Sequence, residues 1–225
     1  MKKLFRFILK AAIWLVVLSV IWTLLYKVVP VSYTPLMAIR YMEGEQNYHK
    51  SHEWVSLKLV STNFLLAVIC AEDQKFLEHS GFDIKSIKMA YESNSRGEKL
   101  RGGSTISQQT AKNIFLWPKR DFVRKGLESW FTFLIENLWS KERILEVYVN
   151  SIEMGNGVYG IEAAAQHWFQ KNASHLTKEE AAAIAAILPN PREYSANRRS
   201  RYIENRKNWI TKQMRNYGTL ALKVE

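Results

Sequence analysis

The 225-residue chain has a single cysteine and five histidines, and each scarcity closes a class of chemistry. One thiol, Cys70, can form neither an intramolecular disulfide nor a CxxC zinc or redox site. It follows the apolar run Phe64-Leu65-Leu66-Ala67-Val68-Ile69 and reads as a small core residue. His49, His52, His79, His167 and His175 are scattered, with no H-E-x-x-H pairing, so no metal ligand set is expected. His79 reads as a loop-orienting residue. Convincing apolar–polar alternation is also missing, which argues against half-buried strands. There is no internal repeat and no low-complexity tract.

The middle of the chain lacks net charge. The total is +11, but residues 1–30 carry +5, residues 31–190 balance to 0, and residues 191–225 carry +6. Positive charge confined to the two ends suits parts that meet an anionic membrane surface, and it argues against nucleic acid as a partner.

Residues 11–26, AAIWLVVLSVIWTLLY, carry no charge, glycine or proline. Lys10 and Lys27 flank this run and can snorkel, while Val28 and Val29 extend it beyond Lys27. Trp14, Trp22 and Tyr26 suit the headgroup zone or the helix ends. No A-x-A-like cleavage site follows, so an uncleaved single-pass anchor over residues 1–30 is expected rather than a signal peptide. Lys2, Lys3 and Arg6 put the N-terminus in the cytoplasm and the rest of the chain outside. Residues 31–60 read as a membrane-proximal linker, and 61–225 as the globular domain.

Helix signals dominate that domain, so the expected class is all-α, or mainly α. Helices are expected over Asn63–Glu78, from a cap at Asp83 through Tyr91, from a cap at Ser104 to Phe115, and over Asp121–Leu138. Lys141–Asn150 and Glu162–Phe169 follow. Thr177 and Glu180 form a capping-box pattern ahead of an Ala-rich helix to Leu188, which Pro189 and Pro191 stop. Tyr202, Ile203, Trp209, Ile210 and Met214 suit a closing helix in the tail.

Three segments could carry chemistry. Glu72 and Asp73 end a strongly apolar helix, where desolvation raises a carboxylate pKa toward that of a general base. A helix end entering water has the same look. Gly102-Gly103-Ser104-Thr105 opens a helix as an anion site would, with Gln108 and Lys112 on one face. A capped helix without ligand reads identically. Residues 96–125 hold eight basic and two acidic side chains, a window of +6. Arg120, Arg124 and Glu128 are spaced by four, a stripe fit for a diphosphate or for ordinary surface ion pairs.

Taken in order, these segments resemble the glycosyltransferase family 51 domain, and more narrowly the monofunctional biosynthetic peptidoglycan transglycosylases. Glu72, Asp73, Phe76, His79 and Gly81 meet E-D-x-x-F-x-x-H-x-G, and Gly102 through Asn113 meet G-G-S-T-I-[ST]-Q-Q-x-x-K-N. Arg124, Lys125 and Glu128 meet R-K-x-x-E. Lys141, Ile144, Leu145, Glu146, Tyr148 and Asn150, with Gly155, Gly157 and Gly160, meet a fourth signature. Leu188, Pro189, Pro191 and Tyr194 end a fifth. Gly126 departs from a good helix former inside the third.

The resemblance implies a lysozyme-like fold and a membrane-bound enzyme that polymerises lipid II on the outer face of the bacterial inner membrane. It implies Glu72 as base toward the acceptor hydroxyl and Glu128 as the second catalytic residue, positioning the diphosphate site through the cations or a divalent ion. Phe76, Ser104 and Gln108 would line the site, and Lys112, Arg120, Arg124 and Lys125 would hold the leaving diphosphate. No cofactor is required by this pattern, with Mg or Mn left open as an assistant. Expected partners are lipid II, the growing lipid-linked strand, membrane lipids and other cell-wall synthesis or division proteins. No S-x-x-K, S-D-N or K-T-G set is present, so polymerisation without cross-linking is implied. A wall-cleaving hydrolase and a non-enzymatic membrane scaffold are the rival readings.

Overall fold

The uncharged run lies inside one continuous helix, α1 (Lys2–Val28), in the computed structural model, which describes residues 1–43, 49–85, 88–89, 103–119, 121–198 and 200–222. At 1.5 Å per residue, 27 residues reach about 40 Å, enough for a bilayer core of about 30 Å. Among the described residues it is the one helix long and apolar enough to cross a membrane, and it fits a single-pass anchor.

The C-terminal half of α1 is docked on the domain. Ser19 and Thr23 are buried. Trp130 Nε1 donates to Ser19 Oγ at 3.0 Å and Trp139 Nε1 to the Thr23 carbonyl at 2.9 Å. Trp22 meets Phe115 edge-to-face at 5.2 Å, and Phe115 stacks on Phe131 at 4.2 Å. Arg143 donates to the carbonyls of Tyr26 and Val29 at 2.8 and 2.6 Å, satisfying acceptors that the helix end leaves open.

Residues 31–60, expected as a linker, contribute elements of the domain. Thr34 caps α2 (Pro35–Met42), with Pro35 in the first turn, and Met37 is fully buried. β1 (Ser51–His52) pairs in parallel with β3 (Val158–Tyr159), and β2 (Glu153–Gly155) pairs antiparallel with β3. A small sheet is therefore present where alternation gave no sign. Strands of two or three residues are too short to alternate detectably. The segment that follows β1 is tied to the helix that precedes β2. Asn150, fully buried, accepts from Val55 N and donates to Val55 O, and Glu146 accepts from Leu57 N at 3.0 Å. Gly160 follows with φ +79°, and a Cβ there would lie 2.7 Å from the Asn150 carbonyl.

The helices then follow in order: α3 (Thr62–Glu72), α4 (Ile106–Phe115), α5 (Phe122–Leu138), α6 (Lys141–Ser151), α7 (Ile161–Phe169), α8 (Lys178–Ile187) and α9 (Arg201–Tyr217). Asp121, Ser140, Thr177 and Ser200 cap four of them through side-chain oxygens. The Ala-rich face of α8, Ala181 to Ala186, is buried and lets α3 and α9 pack closely against it. Of the helix expected from Asp83 through Tyr91, residues 84–85 and 88–89 are helical, while 86–87 and 90–91 lie outside the described residues.

Gly126 sits in α5 facing open space: a Cβ at this position would meet nothing within 4 Å. Gly126→Ala should therefore stabilise the protein by about 1 kcal/mol through helix propensity and unfolded-state entropy. Thermal unfolding would show this as a rise of roughly 2–4 °C in Tm.

Candidate active site

α3 ends at Glu72 because Asp73 turns out of the helix, with φ −159°, and its carboxylate goes elsewhere. Asp73 accepts from the amide of Ile106 at 3.0 Å and from His79 Nε2 at 2.9 Å. The expected continuation to Glu78 is thus cut short by a long-range bond. His79 Nδ1 accepts from the Gly81 amide at 3.1 Å, which leaves Nε2 as the donor to Asp73. Gly81 is tightly held, at φ +89°, with a Cβ position only 2.8 Å from Thr132 Cγ2. Its carbonyl accepts from Thr105 Oγ1 at 2.7 Å.

α4 begins with a capping box. Thr105 Oγ1 accepts from Gln108 N, and Gln108 Oε1 accepts from Thr105 N. The cap is Thr105, one residue beyond the expected Ser104. Ser104 remains exposed and lines the cleft on both sides. Gln108 lines it too, but its carbonyl oxygen is occupied by the cap. Phe76 does not line it: its side chain is fully buried in the core, with Lys141 Nζ over its ring at 4.6 Å. The spacing of the first signature cannot distinguish a wall residue from a core residue.

The residue that touches Glu72 is Gln109, which the sequence pattern does not single out over its neighbour Gln108. Gln109 Nε2 donates to Glu72 Oε2 at 2.9 Å, and the hydroxyl of buried Tyr148 donates to Gln109 Oε1 at 3.2 Å. Glu72 Oε1 accepts no hydrogen bond from the described residues. The carboxyl is pushed above its ordinary value first by burial. The Gln109 hydrogen bond and the charges of Arg206 and Lys112 pull it partly back.

On the other side of Ser104 lies a cleft of about 610 Å³ walled by Gln108, Lys112, Asp121, Arg124, Lys125 and Glu128. Asp121 starts α5 and accepts from Arg124 N at 2.7 Å and from Trp117 Nε1 at 2.8 Å. Arg124 Nη1 donates to Glu128 Oε2 at 2.7 Å, and Lys125 Nζ to Glu128 Oε1 at 2.5 Å. Glu128 is 3% exposed, so this is a buried carboxylate with both oxygens paired. Arg124 Nε is buried without a hydrogen-bond partner. Arg120 lies outside the described residues. The structure thus brings together Glu72, Ser104, Gln108, Lys112, Arg124, Lys125 and Glu128. The fourth signature is architectural: Lys141 pairs with Glu136 at 2.8 Å and donates to the His79 carbonyl, while Glu146 and Asn150 hold the 55–57 segment. Cys70 is buried and its thiol is pushed up to about 11, consistent with an inert core residue.

A family model described as Transglycosylase matches residues 40–215. Curated proteins named biosynthetic peptidoglycan transglycosylase are similar over most of their length. The one from Pseudomonas syringae pv. syringae is 48% identical over 221 residues, covering 97% of this chain and 94% of its own. The one from Shewanella oneidensis is 55% identical over 172 residues, covering 76% and 74%. The one from Salmonella schwarzengrund is 50% identical over 212 residues, covering 91% and 88%.

The raised Glu72 carboxyl has a stability consequence. The folded chain holds this proton more tightly than the unfolded chain, so ionising Glu72 costs stability. That cost is absent below the ordinary carboxylate pKa and is complete once pH exceeds the raised one. Glu72→Gln should therefore raise Tm at neutral pH, with the gain disappearing near pH 4. A lower Tm for the variant at neutral pH would show that the carboxylate stabilises the fold.

Proposed function

We infer the mechanism from one premise: the chain belongs to the transglycosylase family and is a peptidoglycan glycosyltransferase. Its substrate class is lipid II or the lipid-linked glycan strand. The observation that carries the mechanism is which carboxylates in the cleft are already engaged. Asp73 is taken by His79 and the Ile106 amide, and Glu128 by Arg124 and Lys125. Glu72 has an oxygen that accepts no hydrogen bond from the described residues, and burial raises its proton affinity.

Glu72 Oε1 takes the proton of the acceptor sugar hydroxyl as that oxygen attacks the donor's anomeric carbon. The anomeric bond to the diphosphate breaks, and the bonding pair leaves with the diphosphate. A single displacement inverts the anomeric centre. The leaving group is already a stable anion, so it needs positive charge rather than a proton donor. Lys112, Arg124 and Lys125 supply that charge, with Arg124 Nε as a donor still open to a ligand oxygen. Arg120 is assigned the same role from its place in the stripe. Ser104 and Gln108 line the passage between base and cations. Glu128 fixes Arg124 and Lys125 as a pair.

Mg or Mn fits this donor set poorly. Both Glu128 oxygens already face cations, and a dication there would meet Arg124 and Lys125 at close range. The cations alone are the proposed electrostatic element. The product is uncross-linked glycan, since the chain carries no penicillin-binding motif set.

α1 is assigned to the inner membrane with its N-terminus in the cytoplasm, which puts the cleft on the outer face. Phe122, which lines the cationic pocket, and Val123 and Phe133 on the same helix are exposed and suit the bilayer interface, where the lipid tails of both substrates lie. Tethering then restricts enzyme and substrates to two dimensions.

Purified full-length protein with lipid II should yield polymer. Glu72→Gln should lower the rate by at least about a hundredfold, the scale of a lost general base. Glu128→Gln should lower it by roughly tenfold or more, since it releases two cations from their fixed geometry. Soluble fragments released from finished wall, with no polymer from lipid II, would contradict the reading.

A further inference from the structure

The tail helix α9 has no part in the mechanism above, yet it forms a wall of the cleft. Beyond Ser104, away from the cations, lies a second cavity of about 270 Å³. Its lining includes Glu72, Gln74, Lys75, Asp83, Ser104 and Trp209. Trp209 comes from α9 and is 41% exposed, a large exposed indole beside the half-buried Glu72 carboxyl.

Its position is fixed. Arg206, one turn earlier, donates to the Ala71 carbonyl at 3.0 Å, next to Glu72. The guanidinium lies over the Trp209 ring, 4.7 Å from its centroid, and its charge acts on Glu72. Ile203, Ile210 and Met214, on another face of α9, are buried and hold the helix against the domain. Gln74 reaches across to Gln213 at 3.5 Å, closing the junction between α3 and α9.

We propose that Trp209 is a stacking platform for a sugar ring of the glycan substrate, held over the Glu72 end of the cleft by Arg206. The proposal rests on the transferase reading and deepens it. The chemistry is that of a carbohydrate subsite. An exposed indole offers a flat apolar face to the C–H face of a pyranose, while Gln74, Lys75, Asp83 and Ser104 surround it with polar groups suited to ring hydroxyls and amides. The layout gives direction as well. A diphosphate among Lys112, Arg124 and Lys125 lies on one side of Ser104, Glu72 on the other, and a saccharide extending from the reacting centre away from the cations runs onto Trp209.

Two measurements on the full-length protein in detergent test this. In lipid II polymerisation, Trp209→Ala should raise KM by about tenfold with kcat changed less, and Trp209→Tyr should restore most of the loss. In a titration with a soluble, uncross-linked peptidoglycan oligosaccharide, the Trp209 indole N–H resonance should shift saturably, identified by its absence in Trp209→Phe. A role confined to packing would lower Tm without a selective KM effect, and the resonance would stay in place; that result overturns the platform. Normal polymerisation by Trp209→Ala together with loss in Glu72→Gln overturns the platform and leaves the transferase reading standing. Absence of polymer from wild type, with Tm normal, overturns both.

Discussion

Asp73 accepts from the Ile106 amide and from His79, and through these bonds ties the end of α3 to the start of α4 and to the turn at Gly81. The carboxylate is buried and does no proton transfer of its own. Its work is geometric. It stops α3 at Glu72, satisfies the first amide of α4 alongside the Thr105 cap, and so sets Gln109 against Glu72. Losing it would leave a buried amide and a buried imidazole unpaired, a cost of about 1–3 kcal/mol for each unsatisfied group. The whole cleft hangs on this junction.

Around it the protein separates two electrostatic tasks. At one end Glu72 is desolvated, which keeps its proton affinity high, while the bond from Gln109, backed by Tyr148, fixes its orientation. At the other end Glu128 is buried too but doubly paired, so it acts as a fixed counter-charge. Buried ion pairs contribute little net stability, yet removing one partner is costly, so such a pair holds geometry more than it holds the fold. Two glutamates with the same side chain thus do opposite work because their surroundings differ. The anchor belongs to the same construction: α1 packs on Phe115 at the end of α4 and on Trp130 and Phe131 of α5, so the membrane helix and the cationic helix share one aromatic joint.

What can be read from sequence is local. The amphipathic helix from Asp121, the cap at Thr177, the Ala-rich α8 and the apolar α1 follow from short-range patterns, and the structure has them. The tail through Ile203, Ile210 and Met214 packs as its spacing implies. Thr105 is legible too, since Thr-x-x-Gln marks the capping box better than Ser104 does. Long-range facts are not legible. Nothing within a few residues shows that Asp73 bonds to residue 106, that Phe76 points into the core, or that Gln109 rather than Gln108 meets Glu72. The segment after β1 is held by Asn150 and Glu146, which reach back about ninety residues to Val55 and Leu57. Arg206 and Trp209 take on meaning only once α9 is packed against α3.

The central claim is that Glu72 is the base and that the diphosphate leaves on positive charge alone, with no general acid. The dependence of kcat/KM on pH for lipid II polymerisation tests it most directly. A Glu72 base acting without an acid predicts one acidic limb, set by a carboxylate titrating above its ordinary range, followed by a plateau until lysines begin to lose their protons near about pH 10. A bell-shaped profile with a second limb below about pH 8 would reveal a required acid and contradict it.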